Sequence, residues 1–506
     1  MIISISQDYT FKKLNCGQGI YFKGNLLYNN KHVKVVNDFL NLSSEDDLIN
    51  YLKINIGNFR GHFSIIVTEI SKVIIFSDVS RTFPVFYRND YTNNNIISDR
   101  IDSLIKLNEL LDIDNVNDFL SCGFCLKETT LFKGINQTEA CQIIEISADN
   151  NICKKYYFNY ENSNFYNLSQ IDLKKKYSSI IDQIINDIKL RVDSSQVVVP
   201  LSGGYDSRFL LTLLLDSGIN NIICYTYGSK SSYEVYTAVK ICQRLNLKLH
   251  FIDYDKRFIE DNLNINEFRD YEFFAGNFST LPHVQDFLSV KYLKLNNLID
   301  DNAIFMPGIA GDVFAGSQIP SKYKDQINFE EFEYIDKFLS FPGYIYQKKI
   351  NFKLLNHTSI EQFTVLEKVP KFVANSIRVY EYFNYNFFLP LWDLSLLKFY
   401  SKIPYGYKNV NQSSFSIESN LYLNFAFESF KKYNISFKKD DKFIFLLRGF
   451  SYFQRKLNLK QDSVNNFDIV IKKLEQLFNC ETEFSVHKNV NLALSKIYLK
   501  ILHERY

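Results

Sequence analysis

The chain has 506 residues and a formal net charge of +2, and 46% of its residues are hydrophobic while 23% are charged. This length and composition support more than one packed domain, and the near-neutral charge argues against a surface dedicated to nucleic acid or to an anionic membrane. No run of about 18 apolar residues occurs, so we expect no membrane span. The N-terminus lacks the pattern of a signal peptide. Of the eight cysteines, Cys122 and Cys125 have the spacing of a redox or zinc half-site, but a second Cys/His pair at ligand spacing is missing, so buried free thiols in a cytoplasmic protein are expected.

The first 110 residues alternate short apolar runs with turn signals, which is typical of a sheet-rich domain. The predicted strands are Ile2–Ile5, Gly19–Phe22, His32–Val36, Gly61–Thr68, Lys72–Asp78 and Val85–Tyr87. A short helix is predicted after Ser43. The segment Tyr156–Asn167 has the composition of a linker, and helical periodicity over Leu168–Leu190 begins a second domain.

The second domain alternates strands with helices, which indicates a parallel sheet with right-handed crossovers. We predict strands at Val197–Leu201, Ile222–Tyr227 and Lys248–Asp253, and helices at Ser207–Asp216 and Tyr233–Leu245. Ligands bind outside the carboxyl ends of such strands. Beyond residue 255 the chain is predicted to be mostly helical.

The most informative stretch runs from Val197 to Gly218, where an apolar strand, the turn Ser202-Gly-Gly and a helix follow one another. Glycines let the backbone approach a ligand, and the N–H groups of a helix N-terminus attract anions. Asp206 beside such an anion site calls for a cation between the two charges, for which Mg²⁺ is suited. The alternative is an ordinary serine-glycine loop.

This stretch, V-P-L-S-G-G-Y-D-S-R, resembles the pyrophosphate loop of N-type ATP pyrophosphatases, most closely that of the asparagine synthetase branch. The resemblance implies that ATP is split between its α and β phosphates, that AMP is placed on a substrate carboxylate, and that an amine then forms an amide. It also implies a set of nucleotide contacts, at Leu201, Ser202, Gly203, Gly204, Asp206, Ser207, Tyr225 and Gly228.

A second stretch, Phe305–Gly316, places three glycines around one aspartate. It resembles the S-G-E-G-A-D-E-L-F-G-G loop of asparagine synthetases, which implies that Gly308 contacts AMP and that Asp312 shares Mg²⁺ with Asp206. A structural turn is the alternative for Asp312. Ile309 and Val313 replace two glutamates of that family, so the acceptor pocket differs from that of asparagine synthetase.

A third stretch, Ser376–Asp393, resembles the R-V-Y-E segment of synthetase-like proteins encoded with bacterial surface-polysaccharide genes. Arg378 and Glu381 stand three residues apart, so an intrahelical ion pair and a substrate contact are both open. Asn386 and Phe388 stand where those relatives carry charged residues.

Two further sets of candidates are less specific. Lys438 or Lys439 would correspond to the late catalytic lysine of the family, which stabilises charge on the adenylate and pyrophosphate. Asn277, Ser279 and His283 are candidates for the acceptor pocket, although a histidine in such a place is more often structural.

The N-terminal part resembles the class II glutamine amidotransferase domain, in the pieces Gly61–Val67, Phe76–Tyr87 and Thr130–Ile135. That family uses a cysteine directly after the initiator Met as its nucleophile, whereas this sequence has Ile2. We therefore expect no glutaminase activity, as in the β-lactam synthetase relatives.

Together these observations predict an Ntn-type sheet sandwich over residues 1–165, and a parallel-sheet PP-loop ATP pyrophosphatase domain with a helical C-terminal part over residues 166–506. The predicted activity is an amide synthetase (a carbon-nitrogen ligase) that uses ATP and Mg²⁺ on a small-molecule carboxylate and amine. A homodimer or a partner enzyme of the same pathway is possible. The alternatives are asparagine synthesis from ammonia and a non-catalytic nucleotide-binding scaffold.

Overall fold

The computed structural model describes residues 2–14, 18–34, 36–40, 47–89, 95–161, 163–316, 341, 359–404, 407–408, 420–436, 466–482, 484 and 489–505. Its strands before residue 160 are β1 (Ile2–Ser4), β2 (Thr10–Lys13), β3 (Gly19–Tyr28), β4 (Lys31–Val33), β5 (Arg60–Thr68), β6 (Lys72–Ser77), β7 (Phe86–Asn89), β8 (Asn95–Ser98), β9 (Asn136–Gln137), β10 (Gln142–Ser147) and β11 (Ile152–Tyr156). The helices of this part are α1 (Val36–Leu40), α2 (Leu48–Asn55) and α3 (Ile113–Cys122).

These strands form two sheets. One has seven strands in the order β11-β10-β6-β5-β3-β2 with β4 beside β3, and the other has four in the order β1-β8-β7-β9. Side chains from both sheets share one core, as Ile66 and Ile75 pack with Tyr87 and Ile97. A second core on the other face of the large sheet includes Leu52 of α2. The sheet-rich domain is confirmed, while its Ntn-type assignment stays a prediction.

One sequence expectation in this part needs correction, and another cannot be compared. The strand predicted at His32–Val36 ends at Val33, and a helix begins at Val36. Residues 41–46, which include Ser43, lie outside the described residues, and the next helix begins only at Leu48. The strand at Thr10–Lys13 was not predicted because two successive lysines interrupt the apolar alternation on which strand prediction depends.

The remaining strands are β12 (Val197–Pro200), β13 (Ile222–Gly228), β14 (Lys248–Asp253), β15 (Ile304–Phe305) and β16 (Asn386–Phe387). The helices are α4 (Gln170–Val192), α5 (Tyr205–Asp216), α6 (Tyr233–Leu245), α7 (Lys256–Asn262), α8 (Ile265–Gly276), α9 (Phe287–Leu295), α10 (Gly311–Phe314), α11 (Ile360–Phe363), α12 (Arg378–Tyr382), α13 (Leu394–Tyr400), α14 (Leu421–Lys432), α15 (Phe467–Leu477) and α16 (Val490–Arg505). A π-helix spans Thr364–Val373 and continues α11.

The five strands form one parallel sheet in the order β14-β13-β12-β15-β16. Strand β12 is therefore central, and the loop that follows it lies in the middle of the carboxyl edge of the sheet. The predicted parallel sheet is confirmed, and α6 and β14 have the predicted bounds. This order places the loops after β12 and β15 side by side, which positions the site described below.

Charged and polar side chains join the sheet-rich part to α4. Asp187 accepts hydrogen bonds from Arg60 Nε at 2.6 Å and Nη2 at 2.9 Å, and Asp187 is buried. Arg191 donates to the carbonyl oxygen of Asn25 at 3.2 Å. The division of the chain near residue 165 nevertheless stays a prediction. No helix among the described residues is long and apolar enough to cross a lipid bilayer.

Candidate active site

The loop between β12 and α5 folds back on itself through its two serines. Ser202 Oγ lies 3.1 Å from Ser207 Oγ, and Ser207 Oγ also lies 3.0 Å from the carbonyl oxygen of Ser202, to which it donates. The backbone N–H of Gly204 donates to Ser202 Oγ at 3.3 Å. The loop thus delivers two hydroxyls to the N-terminus of the 12-residue helix α5, an arrangement that favours a bound anion.

Two glycines are required here for packing. A Cβ on Gly203 would lie 2.9 Å from Thr237 Cβ of α6, and a Cβ on Gly308 would lie 2.4 Å from the backbone nitrogen of Ser207. Both distances are shorter than real Cβ contacts, so a larger residue would push two loops apart. Gly308 therefore lets the loop after β15 lie directly on the start of α5.

That contact brings Asp206 and Asp312 together. The backbone N–H of Asp312 donates to Asp206 Oδ2 at 2.9 Å, and the hydroxyl of Tyr422 donates to Asp206 Oδ1 at 2.6 Å. Burial raises the pKa of Asp206 to about 7, and the charge of Asp312 contributes to the increase while the hydrogen bond from Tyr422 opposes it. The carboxyl group of Asp312 thus lies near that of Asp206 at a half-buried place, although the two residues are 106 positions apart in the sequence.

This donor set fits Mg²⁺. Carboxylate oxygens are the ligands that Mg²⁺ prefers, and a divalent cation would relieve the cost of holding Asp206 and Asp312 together. Among the described residues no group of three or more potential ligand side chains occurs. The remaining ligands would then be phosphate oxygens and water, which is the usual arrangement for this ion.

A cleft of about 490 Å³ opens beside these carboxyl groups at the carboxyl edge of the sheet. Seven of the predicted nucleotide and metal residues line it, namely Leu201, Ser202, Asp206, Ser207, Tyr225, Gly308 and Asp312. Gly203, Gly204 and Gly228 do not line it. Gly228 has a φ of +112° at the end of β13 and pairs with Asp253 of β14.

The acceptor candidates are spread over different places. His283 and Ile309 line the cleft. Ser279 is buried, and Asn277 lines a separate cavity with Arg378. Lys438 and Lys439 lie outside the described residues.

The residues of the third sequence stretch, Ser376–Asp393, also lie in different parts of the structure. Arg378 and Glu381 form the ion pair that their spacing indicates, and Tyr380 between them lines the cleft. Asn386 is exposed on β16. The ring of Phe388 packs against the guanidinium of Arg191, whose Cζ lies 4.4 Å from the centroid of that ring. Neither Asn386 nor Phe388 is among the described residues that line the cleft.

Sequence reasoning missed several residues of the site. Tyr422 lies on α14, more than 200 positions beyond Asp206, and no motif surrounds it. Asp286 lines the cleft and stands just after the predicted acceptor candidate His283, so its proximity to that stretch was the available signal. The π-helix adds Phe372 and Val373 to the lining, which its sequence did not indicate.

No family model matches the chain. Its sequence is 27% identical over 280 residues to the Microcin J25-processing protein McjC of Escherichia coli. This alignment covers 53% of the present chain and 49% of McjC. The chain thus spans about half the length of this curated relative.

Two solved structures show weak similarity. The NH3-dependent NAD synthetase from Campylobacter jejuni is 20% identical with a TM-score of 0.20, covering 28% of this chain and 60% of that one. The U34-tRNA thiolase NcsA from Methanococcus maripaludis is 15% identical with a TM-score of 0.24, covering 66% and 89%. Both scores are too low to bear on the chemistry of the site.

Proposed function

We propose that the chain is an ATP-dependent, AMP-forming amide synthetase of the asparagine synthetase-like, PP-loop type. The observation that carries the proposal is the contact between Asp206 and Asp312 at the mouth of the cleft. Two loops that resemble separate parts of one ATP site meet there. The sequence similarity to McjC supports a synthesis of specialised metabolites, and a surface-polysaccharide setting is the other possibility.

The residues of the loop would hold the phosphates of ATP. The N–H groups at the start of α5 and the hydroxyls of Ser202 and Ser207 would bind the leaving pyrophosphate. Mg²⁺, held by Asp206 and Asp312, would offset the charge of the phosphates. Tyr422 would keep Asp206 in place through its hydrogen bond.

The proposed reaction has two steps. An oxygen of the substrate carboxylate attacks the α-phosphorus, and the bond to the bridging oxygen breaks as pyrophosphate leaves. The amine nitrogen then attacks the acyl carbon and loses a proton, and AMP leaves with the bonding electron pair. Asparagine synthesis from free ammonia is the second candidate, and it is disfavoured by Ile309, which lines the cleft where the resemblance implies a glutamate.

The test is pyrophosphate release from ATP and Mg²⁺ by the wild type and by Asp206→Ala. A panel of amino acids and uronic acids would serve as carboxylates, with ammonia, amino acids or glutamine as the nitrogen source. Release that depends on one carboxylate and disappears in the variant would support the proposal. Binding of ATP without release, across the panel, would favour the scaffold instead. Glutamate release from glutamine would contradict the expected absence of glutaminase activity.

A further inference from the structure

One carboxyl group in the cleft has no part in the proposed metal site. Asp286 is 4% exposed and lines the cleft. Its Oδ2 accepts hydrogen bonds from the hydroxyls of Tyr225 and Tyr380, each at 2.9 Å, and the hydroxyl of Tyr227 also stabilises its charged form, whereas its Oδ1 has no donor within hydrogen-bond distance. A buried carboxylate oxygen without a donor is costly, so the group calls for a ligand that supplies one.

The position of Asp286 in the fold strengthens this point. It stands directly before α9, where an aspartate ordinarily accepts a hydrogen bond from the first turn of the helix. Asp286 makes no such bond, and its carboxyl group turns to the tyrosines instead. The local sequence would favour a cap, so tertiary contacts hold this carboxyl group toward the cleft.

Aromatic rings surround the same place. Tyr225 and Tyr227 are two positions apart on β13, so they share one face of the sheet. The ring of Tyr380 stacks on Phe305 with centroids 4.3 Å apart, and the ring of Tyr227 stacks on Tyr254 at 5.1 Å. These contacts fix the rings, and a carboxylate among tyrosine rings is the environment that binds organic cations.

The charged side chains that line the cleft also favour a cation as the ligand. Its described lining contains four carboxyl side chains, those of Asp206, Glu234, Asp286 and Asp312, and neither lysine nor arginine. Burial raises the pKa of Asp286 to about 6, against the opposing effect of the tyrosine hydroxyls. The group is therefore mostly ionised at neutral pH and attracts a cation.

We infer that Asp286, held in place by Tyr225 and Tyr380 and flanked by the partly exposed ring of Tyr227, binds the ammonium group of the amine substrate. This inference rests on the proposed function. A second metal ion fits less well, because one carboxylate oxygen with tyrosine donors on the other oxygen is a poor ligand set. The amino group of adenine would satisfy Oδ1 but carries no charge to balance the carboxylate.

The first experiment measures binding directly. The methyl proton signal of methylammonium would be recorded with the full-length wild type, with Asp286→Asn and with Asp216→Asn. Asp216 is the matched control because it also accepts a hydrogen bond from a tyrosine, Tyr433, but lies outside the cleft lining. We expect line broadening with the wild type and the control, and its loss in Asp286→Asn. No broadening with the wild type, or equal broadening in all three, would overturn the inference.

The second experiment separates the two half-reactions. Asp286→Asn should retain ATP–pyrophosphate exchange while KM for methylamine rises about ten- to hundred-fold, the effect of losing a charge-assisted hydrogen bond. Hydroxylamine, which is largely uncharged at neutral pH, should be used almost as well as by the wild type. Equal losses with both amines, or weaker ATP binding, would show that Asp286 serves another purpose.

A variant that keeps the carboxyl group of Asp286 controls for misfolding. Tyr227→Leu removes one aromatic face at a partly exposed position, and it should weaken methylammonium binding with the melting temperature unchanged. Unchanged binding there would contradict the aromatic part of the site. The proposed synthetase activity and the proposed ammonium site can be rejected separately. If the wild type shows no ATP–pyrophosphate exchange, the synthetase proposal is rejected, whether or not methylammonium binds.

Discussion

The hydroxyl of Tyr422 donates a 2.6 Å hydrogen bond to Oδ1 of Asp206, and the ring of Tyr422 packs edge-on against Phe209 at 5.5 Å. Tyr422 is 1% exposed. Tyr422 on α14 thus orients the carboxyl group of Asp206 in the first turn of α5, although Tyr422 does not line the cleft. Tyr422 is therefore a positioning residue for the proposed metal ligand.

Tyr422→Phe should lower pyrophosphate release by about ten-fold or more, because Asp206 loses a hydrogen bond to its charged form while the ring packing remains. Titration of Mn²⁺ as a spectroscopic substitute should show weaker binding of the ion together with ATP. Tyr433→Phe, which removes the hydroxyl that donates to Asp216, is the control. Unchanged Mn²⁺ affinity in Tyr422→Phe would contradict the positioning role.

Gly308→Ala should destabilise the site. The added Cβ would lie 2.4 Å from the nitrogen and 2.5 Å from the Cα of Ser207, and overpacking of this kind costs about 1–3 kcal/mol. Urea denaturation and pyrophosphate release would measure the two consequences. Gly57→Ala is the matched control, since its Cβ would meet only Lys398 Nζ at 3.9 Å; similar losses in both variants would refute the argument.

Lowering the pH should reduce the free energy of unfolding because His62 is buried in its neutral form. Its Nε2 accepts a hydrogen bond from the backbone N–H of Leu389 at 3.0 Å, and burial, together with the charge of Arg191, lowers its pKa from 6.5 to about 3. Between these values the unfolded state binds more protons, so the free energy of unfolding falls as the pH drops below 6.5. The loss is about 2 kcal/mol on going to about pH 5.

The comparison that isolates this effect is the free energy of unfolding, by urea denaturation at both pH values, of the wild type and His62→Gln. Glutamine keeps an acceptor but does not titrate, so the variant should lose less stability in acid. The same pH dependence in both proteins would mean that His62 is not the group responsible.

The ion pair between Arg60 and Asp187 should matter far more than a surface pair. Arg60→Leu removes two hydrogen bonds to the buried carboxylate of Asp187, and only the charge of Arg191 then remains near it, so we expect a cost toward the lower end of about 3–5 kcal/mol. Arg100→Leu breaks the exposed pair with Asp102 and should cost no more than about 1 kcal/mol. Urea denaturation of both variants tests this, and comparable midpoints would contradict it.

Local patterns were sufficient for the elements that carry the loop between β12 and α5. The apolar run at Val197, the glycine turn and the periodicity of the next helix predicted β12 and α5, and the parallel sheet followed from the alternation of strands and helices. Each of these signals lies within a few residues of the feature it predicts.

The convergence of distant residues was decided by tertiary structure alone. The order of the strands brings Asp312 to Asp206, α14 adds Tyr422, and β13 and α12 place Tyr225 and Tyr380 on Asp286. The sequence by itself predicted which residues would bind phosphate and metal, because the motifs on which that prediction rests are contiguous. Which carboxyl groups are buried, paired or left with a free oxygen depends on packing between elements that can be more than 200 positions apart, and no local pattern records it.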